Sequence, residues 1–330
     1  MPGSVTSVFS EAADFEAALR PEGCVSLLVT GRGSFRARLT QIALDRLRLA
    51  SAEEELARIA YIAVPDGTVL VGWPTGETPP PLWGGFEIGA GDMLTLGPGQ
   101  QVHVTSEGPC RWSFIRIPDQ VLLRYGRVLC GAGFKAPPAL AVWRIPPAAA
   151  RRLAQLHRAA IRVVEAKSGA LADVAAAHGL EQQLVDALIE CLCDGAPRQE
   201  NPAALRHRAI LAGFEDLLQI EKFARMGEIC AALSVSDRLL RDCCRQHLRI
   251  GPSRYLNLRR MQQVHRALRS QNPETARVSE IAERYGVRDL GRFASDYRAL
   301  YGELPSTTLR RSSRPGDYEL GLHRLPVKFS

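Results

Sequence analysis

The sequence predicts an α+β chain: a β-rich N-terminal domain with a helical hairpin, then an all-α domain made of two copies of one helical unit. Three observations carry this. Residues 1–145 are a succession of short aliphatic runs broken by glycine and proline. From Pro146 onward the apolar residues recur at helical spacing. The last third repeats itself at an offset of 52 to 53 residues.

A chain of 330 residues exceeds one ordinary core and fits two domains. A hydrophobic share of 46% and a mean hydropathy of −0.09 describe a globular protein. Met1–Leu19 mixes Ser, Glu, Asp and Phe without a basic segment before an apolar core, so it does not read as a signal peptide. No apolar run approaches the length of a bilayer span, so no membrane partner is expected and the expected location is the cytoplasm.

Within 1–145, the candidate strands are Val25–Val29, Ser34–Leu44, Leu47–Ala50, Ile59–Val64, Thr68–Trp73, Asp92–Leu96, Gln101–Thr105 and Arg111–Ile117. Phe35, Ala37 and Leu39 alternate with Arg36, Arg38 and Thr40, the period of a half-buried strand. Many short strands with frequent turns suggest a sandwich or small barrel. Residues 146–194 predict two amphipathic helices, Ala148–Lys167 and Glu181–Cys193. They are expected to form a dimerisation hairpin, with packing on the chain's own β domain as the alternative. Residues 195–202 read as a linker, 203–311 as the helical domain, and 312–330 as a polar tail.

Charge is unevenly placed. Leu205–Arg311 holds 20 Lys plus Arg against 12 Asp plus Glu, a local net of +8, while the remainder sums to −1. Only Lys222 among these cations is a lysine. A basic segment beside a near-neutral one suggests a polyanion partner for that segment alone.

The repeat lies in this basic segment. Met226–Val235 aligns with Val278–Val287, matching Glu228 with Glu280 and Ile229 with Ile281. Beyond a one-residue insertion, Leu240 meets Phe293 and Pro252-Ser253 meets Pro305-Ser306. Met226, Ile229, Cys230 and Leu233 share one helix face. Gly286 sits where a left-handed turn is needed, and Ser236 and Asp289 are placed to cap the following helices. Those helices carry Arg238, Arg241 and Arg245, or Arg288, Arg292 and Arg298, on the face away from their apolar residues. Each copy thus has the marks of a helix-turn-helix. A helix over Ser253–Ser270 would span about 27 Å, close to the ~34 Å turn of B-DNA.

Ser236-Asp-Arg-Leu-Leu-Arg241, Gly251-Pro-Ser-Arg-Tyr255, Ile281-Ala-Glu-Arg-Tyr-Gly286, and Tyr301-Gly302 before Pro305-Ser306 resemble the AraC/XylS family of transcription regulators. The resemblance covers roughly Ala203–Arg310. It implies seven helices there, an effector or dimerisation domain in the rest, double-stranded DNA as partner and RNA polymerase as a candidate partner. The expected DNA-contacting set is Ser236, Asp237, Arg238, Arg241, Asp242 and Arg245 in the first unit. In the second it is Arg288, Asp289, Leu290, Gly291, Arg292, Ser295 and Arg298. Three positions depart from the family pattern: Ser234 and Arg249 stand where glycine is common, and Asp242 where a basic residue is frequent. Asp242 is expected to read a base or to orient Arg238 or Arg245.

Gly89–Met93 and Gly97–His103 look like the turns of a cupin-type barrel, which makes the N-terminal domain cupin-like. His103 has no His-x-His partner, so no metal or other cofactor is expected. Trp73, Trp83, His103 and Trp112 are candidates for a pocket holding an unidentified small-molecule effector. The eight cysteines form no CxxC pair and are expected to be reduced thiols on buried helix faces. The leading reading is an effector-gated, homodimeric regulator and not an enzyme. The alternatives are an architectural DNA-binding protein without effector, and a cupin enzyme fused to a DNA-binding module.

Overall fold

The computed structural model describes residues 3–76, 79–137, 139–166, 173–198, 202–219 and 225–311. The polar tail, Lys222, Lys167 and the linker residues 199–201 lie outside the described residues.

The N-terminal part folds as two facing antiparallel sheets. It opens with β1 (Gly3–Phe9), α1 (Ala12–Leu19), β2 (Cys24–Val29) and β3 (Ala37–Ala43). Then come β4 (Arg48–Glu54), β5 (Arg58–Ala63), β6 (Thr68–Pro74), β7 (Leu82–Trp83) and β8 (Phe86–Glu87). β9 (Asp92–Leu96), β10 (Gln101–Ser106) and β11 (Cys110–Pro118) follow, then α2 (Asp119–Cys130) and β12 (Leu140–Arg144). Two long helices, α3 (Pro147–Ala166) and α4 (Val174–Asp194), lead to β13 (Ala196–Pro197). The larger sheet runs β1-β3-β4-β11-β6-β9-β12-β13 and the smaller β2-β5-β10-β7-β8.

The larger sheet is apolar on both faces. Along β11, Trp112 and Phe114 point between the sheets, where they meet Leu27, Leu94 and Val104. Ile115 and Ile117 point the other way, against Leu122, Leu153, Leu184 and Leu188 of α2, α3 and α4. A strand buried on both sides reads as a near-continuous apolar run, as Trp112–Ile117 does apart from Ser113 and Arg116. The apolar faces expected to form a dimerisation hairpin are therefore filled by the chain's own sheet.

The expected linker is partly sheet. Ala196 and Pro197 pair with Arg144 and Trp143, extending the larger sheet before the chain enters the helical domain. The cysteine expectation needs two corrections. Cys130 and Cys193 form a disulfide, because α2, a helix not anticipated, ends beside the end of α4. The six free cysteines are buried, but Cys24 and Cys110 lie on strands rather than helices.

The C-terminal part comprises α5 (Pro202–Gln219), α6 (Met226–Ala232), α7 (Asp237–Leu248), α8 (Pro252–Ser270), α9 (Val278–Arg284), α10 (Leu290–Tyr301) and α11 (Pro305–Arg311). α8 serves both units. Tyr255 and Leu256 join the core of the first unit, and Met261, Val264 and Leu268 that of the second. The first core also takes in Leu28 of β2 and Ile59 of β5, so the two parts of the chain share apolar packing.

Candidate nucleic-acid interface

Each unit ends its first helix in a left-handed turn. Ser234 has φ +54° and Gly286 φ +77°, so serine adopts here a backbone that glycine takes at lower cost. The second helix of each unit is then capped by its own side chain. Ser236 Oγ accepts from Leu239 N at 3.2 Å, and Asp289 Oδ1 accepts from Arg292 N at 2.9 Å. Such a cap satisfies a donor left open at the helix start and is worth about 1 kcal/mol. α7 and α10 bury Leu240, Cys243 and Cys244, or Phe293 and Tyr297.

Their other faces are open. Ser236, Asp237, Arg238, Arg241 and Arg245 are exposed and Asp242 is half-buried. In the second unit Arg288, Asp289, Leu290, Gly291, Arg292, Ser295 and Arg298 are all exposed. Intrahelical ion pairs hold three of the arginines: Arg241 with Asp237, Arg238 with Asp242 at 4.0 Å, and Arg292 with Asp296 at 3.8 Å. Exposed pairs of this kind contribute little to stability, so the arginines can exchange a carboxylate for a phosphate or a base edge at small cost. Leu290 and Gly291 bring no polar side-chain group to the start of α10.

A groove between α8 and the second unit continues this surface. Asn257 and Arg260 of α8 face Arg284, Gly286, Arg288 and Arg292 across it. The repeat alignment passes over Asn257 and Arg260, because they lie on the connecting helix. Their signal was the polar stripe of α8.

A second stripe on α8 points at the β domain. Arg266 pairs with the buried Glu16 of α1, and Gln262 donates to Glu16 and to the carbonyl of Leu27. Arg269 reaches Asp14 at 3.3 Å. Arg259 meets Glu215 of α5, which is fully buried and also accepts from Tyr255 and, at 2.9 Å, from His103 of β10. Burial raises the carboxyl pKa of Glu215, but the His103 hydrogen bond and the Arg259 charge outweigh it and hold the group below its ordinary value. The end of α7 is docked as well. Thr105 Oγ1 donates to the carbonyl of His247 at 3.1 Å, and Arg249, left-handed at φ +60°, reaches Glu87 at 2.6 Å. Gly85 lies so close to His247 that a Cβ there would stand 2.4 Å from the ring.

A small cavity of about 50 Å³ lies between the two sheets. Its walls include Leu27, Leu94, Val104 and Phe114, with Trp83 and Trp112. Arg58 is buried in the wall. It pairs with Glu54 at 3.0 Å and donates to the carbonyl of Val104 at 2.8 Å, and Glu54 accepts from Trp112 Nε1 at 2.6 Å. Trp83 Nε1 is buried without a hydrogen-bond partner. Trp73 and His103 lie outside this cavity. Trp73 alternates with Gly72 on β6 and packs edge-on against His157 of α3. His103 alternates with Val102 and Val104 on β10 and so faces the helical domain.

A helix-turn-helix domain model matches residues 229–311. The chain is 32% identical over 100 residues to the XylDLEGF operon transcriptional activator of Pseudomonas putida, a match covering 30% of each chain. It is 25% identical over 247 residues to XylDLEGF operon transcriptional activator 3 of the same organism, covering 70% of this chain and 69% of that one. A probable thc operon regulatory protein of Rhodococcus erythropolis is 34% identical over 85 residues, 26% of each chain. The chain thus spans about a third of the first of these relatives and about two thirds of the second. Among solved structures, the AraC-like transcriptional activator CuxR superimposes with a TM-score of 0.43 at 15% identity, covering 79% of this chain and 94% of that one. ToxT from Vibrio cholerae O395 gives 0.29 at 13%, covering 82% and 100%.

Proposed function

Starting from a C-terminal domain that belongs to the AraC/XylS family, we propose that this protein is a sequence-specific DNA-binding transcription regulator gated by a small molecule. The observation that carries the reading is the pair of capped helices α7 and α10, fixed on one helix α8, each with an exposed arginine face. The relatives' names as transcriptional activators favour activation, with RNA polymerase as a partner and the cytoplasm as the place of action. No described helix is long and apolar enough to cross a membrane. The inter-sheet cavity, lined by Trp83 and Trp112, is the proposed effector site.

A homodimer belongs to the same proposal. With the inner faces of α3 and α4 covered, what supports it is their outer surface, where Val163 and Val174 are exposed. Light scattering of the full chain at micromolar concentration tests this, and a strictly monomeric species rejects it.

The function is tested by incubating the purified protein with fragmented genomic DNA and sequencing what it retains. Discrete enriched sites sharing a motif are expected. Uniform retention would favour the architectural reading, and no retention would reject DNA binding.

A further inference from the structure

The disulfide sits at the start of the path into the helical domain. Cys130 is the last residue of α2 and Cys193 the last but one of α4, with Cα atoms 6.6 Å apart. Both are exposed, whereas the six other cysteines are buried. Burial pushes the Cys24, Cys110 and Cys191 thiols up to about 12 and that of Cys243 to about 11. Thiol chemistry at neutral pH is thus directed to the exposed pair, since the thiolate is the reacting species and must be reached by its partner.

The bond is not what holds α2 to α4. Leu122 of α2 and Leu184 and Leu188 of α4 share one core. At the far end, Arg46 bonds both Tyr125 of α2 and Glu181 of α4. Opening the bridge therefore loosens the C-terminal ends of the two helices and leaves the domain folded. Those ends govern the connector. Two residues after Cys193, Gly195 N bonds Cys191 O at 3.0 Å, and a Cβ on Gly195 would stand 2.5 Å from that oxygen. Ala196 and Pro197 then join the sheet, and Arg198 N donates to Val142 O at 2.7 Å. The Arg198 side chain lies over the Phe86 ring and reaches the carbonyl of Glu87, whose carboxylate holds Arg249 at the end of α7.

We propose that Cys130–Cys193 is a reversible thiol–disulfide site, reduced by a low-molecular-weight thiol and re-formed by a hydroperoxide, whose state sets how firmly the connector 194–198 is held. In reduction, one thiolate attacks a bridge sulfur and forms a mixed disulfide, releasing the other cysteine. A second thiol then displaces the first cysteine. Two thiols become one disulfide, and the bridge gains two electrons and two protons. In oxidation, one cysteine thiolate attacks the hydroperoxide, giving a sulfenic acid and an alcohol. The other cysteine displaces water from it and closes the bridge.

The test uses the full-length protein in glutathione buffers of graded redox ratio, quenched by alkylation and read by mass spectrometry. Amide hydrogen exchange is followed on the same samples. Reversible loss of the Cys130–Cys193 peptide by about 10 mM reduced glutathione is expected. Reduction should also speed exchange at 194–198 by about fivefold or more, with α8 unchanged. A Cys130→Ser, Cys193→Ser variant should match the reduced wild-type protein in either buffer. A bridge that resists glutathione in the folded protein overturns the proposal, as does reduction that leaves exchange at 194–198 unchanged. The wild-type arm decides the matter even if the variant fails to fold.

Discussion

His103 Nε2 lies 2.9 Å from Glu215 Oε1, and this contact joins the smaller sheet to the first helix of the C-terminal domain. Its place on β10 gives it meaning. Val104, the next residue, lines the inter-sheet cavity, while His103 and Thr105 on the opposite face touch α5 and α7. One strand thus presents one side to the proposed effector site and the other to the helix-turn-helix domain.

Removing the shared carboxylate should be costly. Glu215→Ala leaves Arg259, Tyr255 and His103 without their common acceptor, and an unpaired buried charge typically costs about 3–5 kcal/mol. Urea denaturation should show that loss, with a smaller one for Glu215→Gln. A change below about 1 kcal/mol would mean that the cluster is hydrated or open in solution. Because the folded carboxyl titrates below its ordinary 4.5, its contribution is present above that pH and is lost as pH falls through the lower folded value.

Two buried histidines set a separate pH dependence. Burial lowers His157 and His247 from 6.5 to about 4. Both are neutral when folded, so the unfolded chain binds more protons as pH drops below 6.5. Stability should be flat above that value from this cause and decline between 6.5 and 4. Thermal unfolding at a series of pH values checks the sign, and His157→Asn should flatten part of the decline. A Tm that rises on acidification across this window contradicts the assignment.

DNA binding should weaken steeply with salt. The C-terminal domain carries the chain's excess positive charge, and several phosphate contacts give a log–log slope of about −4 to −8. Fluorescence anisotropy across a salt series measures it, and a slope near zero is incompatible with the proposed interface.

The two units should divide the work. Arg238 and Arg241 stand in the first turns of α7, each held by a carboxylate on its own helix. If either is bidentate to guanine, its replacement by Ala should cost about 1–3 kcal/mol and relax one or two positions of the site. Arg292 and Arg298 lie on α10, which begins with Leu290 and Gly291. Their Ala variants should weaken all sequences alike and flatten the salt slope. Selection from a random DNA pool with each variant decides this. Equal loss of preference for both pairs refutes the division.

Much of this was legible in residue order. The eight strands expected within 25–117 match β2–β6 and β9–β11 to within a few residues; all but β4 carry β-branched residues, and β4 is marked only by the aliphatic Leu47 and Leu49. β1, β7, β8, β12 and α1 and α2 were not anticipated. Gly3–Phe9 mixes polar and apolar residues at an edge, Leu82–Trp83 and Phe86–Glu87 are too short to show a period, and α2 follows β11 without a break and carries Gly126 in its interior. Helices α7 and α10 were readable because each unit repeats the same cap, turn and apolar face. Trp73 and His103 were misplaced relative to the cavity because strand parity shows which residues share a face but not which neighbour covers that face.

By itself the sequence determined the elements whose signals are local: the helix-turn-helix repeat, the caps at Ser236 and Asp289, the arginine faces and most of the strands. These depend on contacts within a few turns of chain, and nearby residue types encode them. Only the tertiary structure decided what the apolar and charged faces meet. It turned α3 and α4 onto their own sheet, brought Cys130 to Cys193 across 63 residues, and set Glu215 against His103 across 112. Such pairings are settled by how whole sheets and helices cover one another's surfaces, and the burial of a carboxylate such as Glu215 becomes tolerable only once its partners from distant segments are in place.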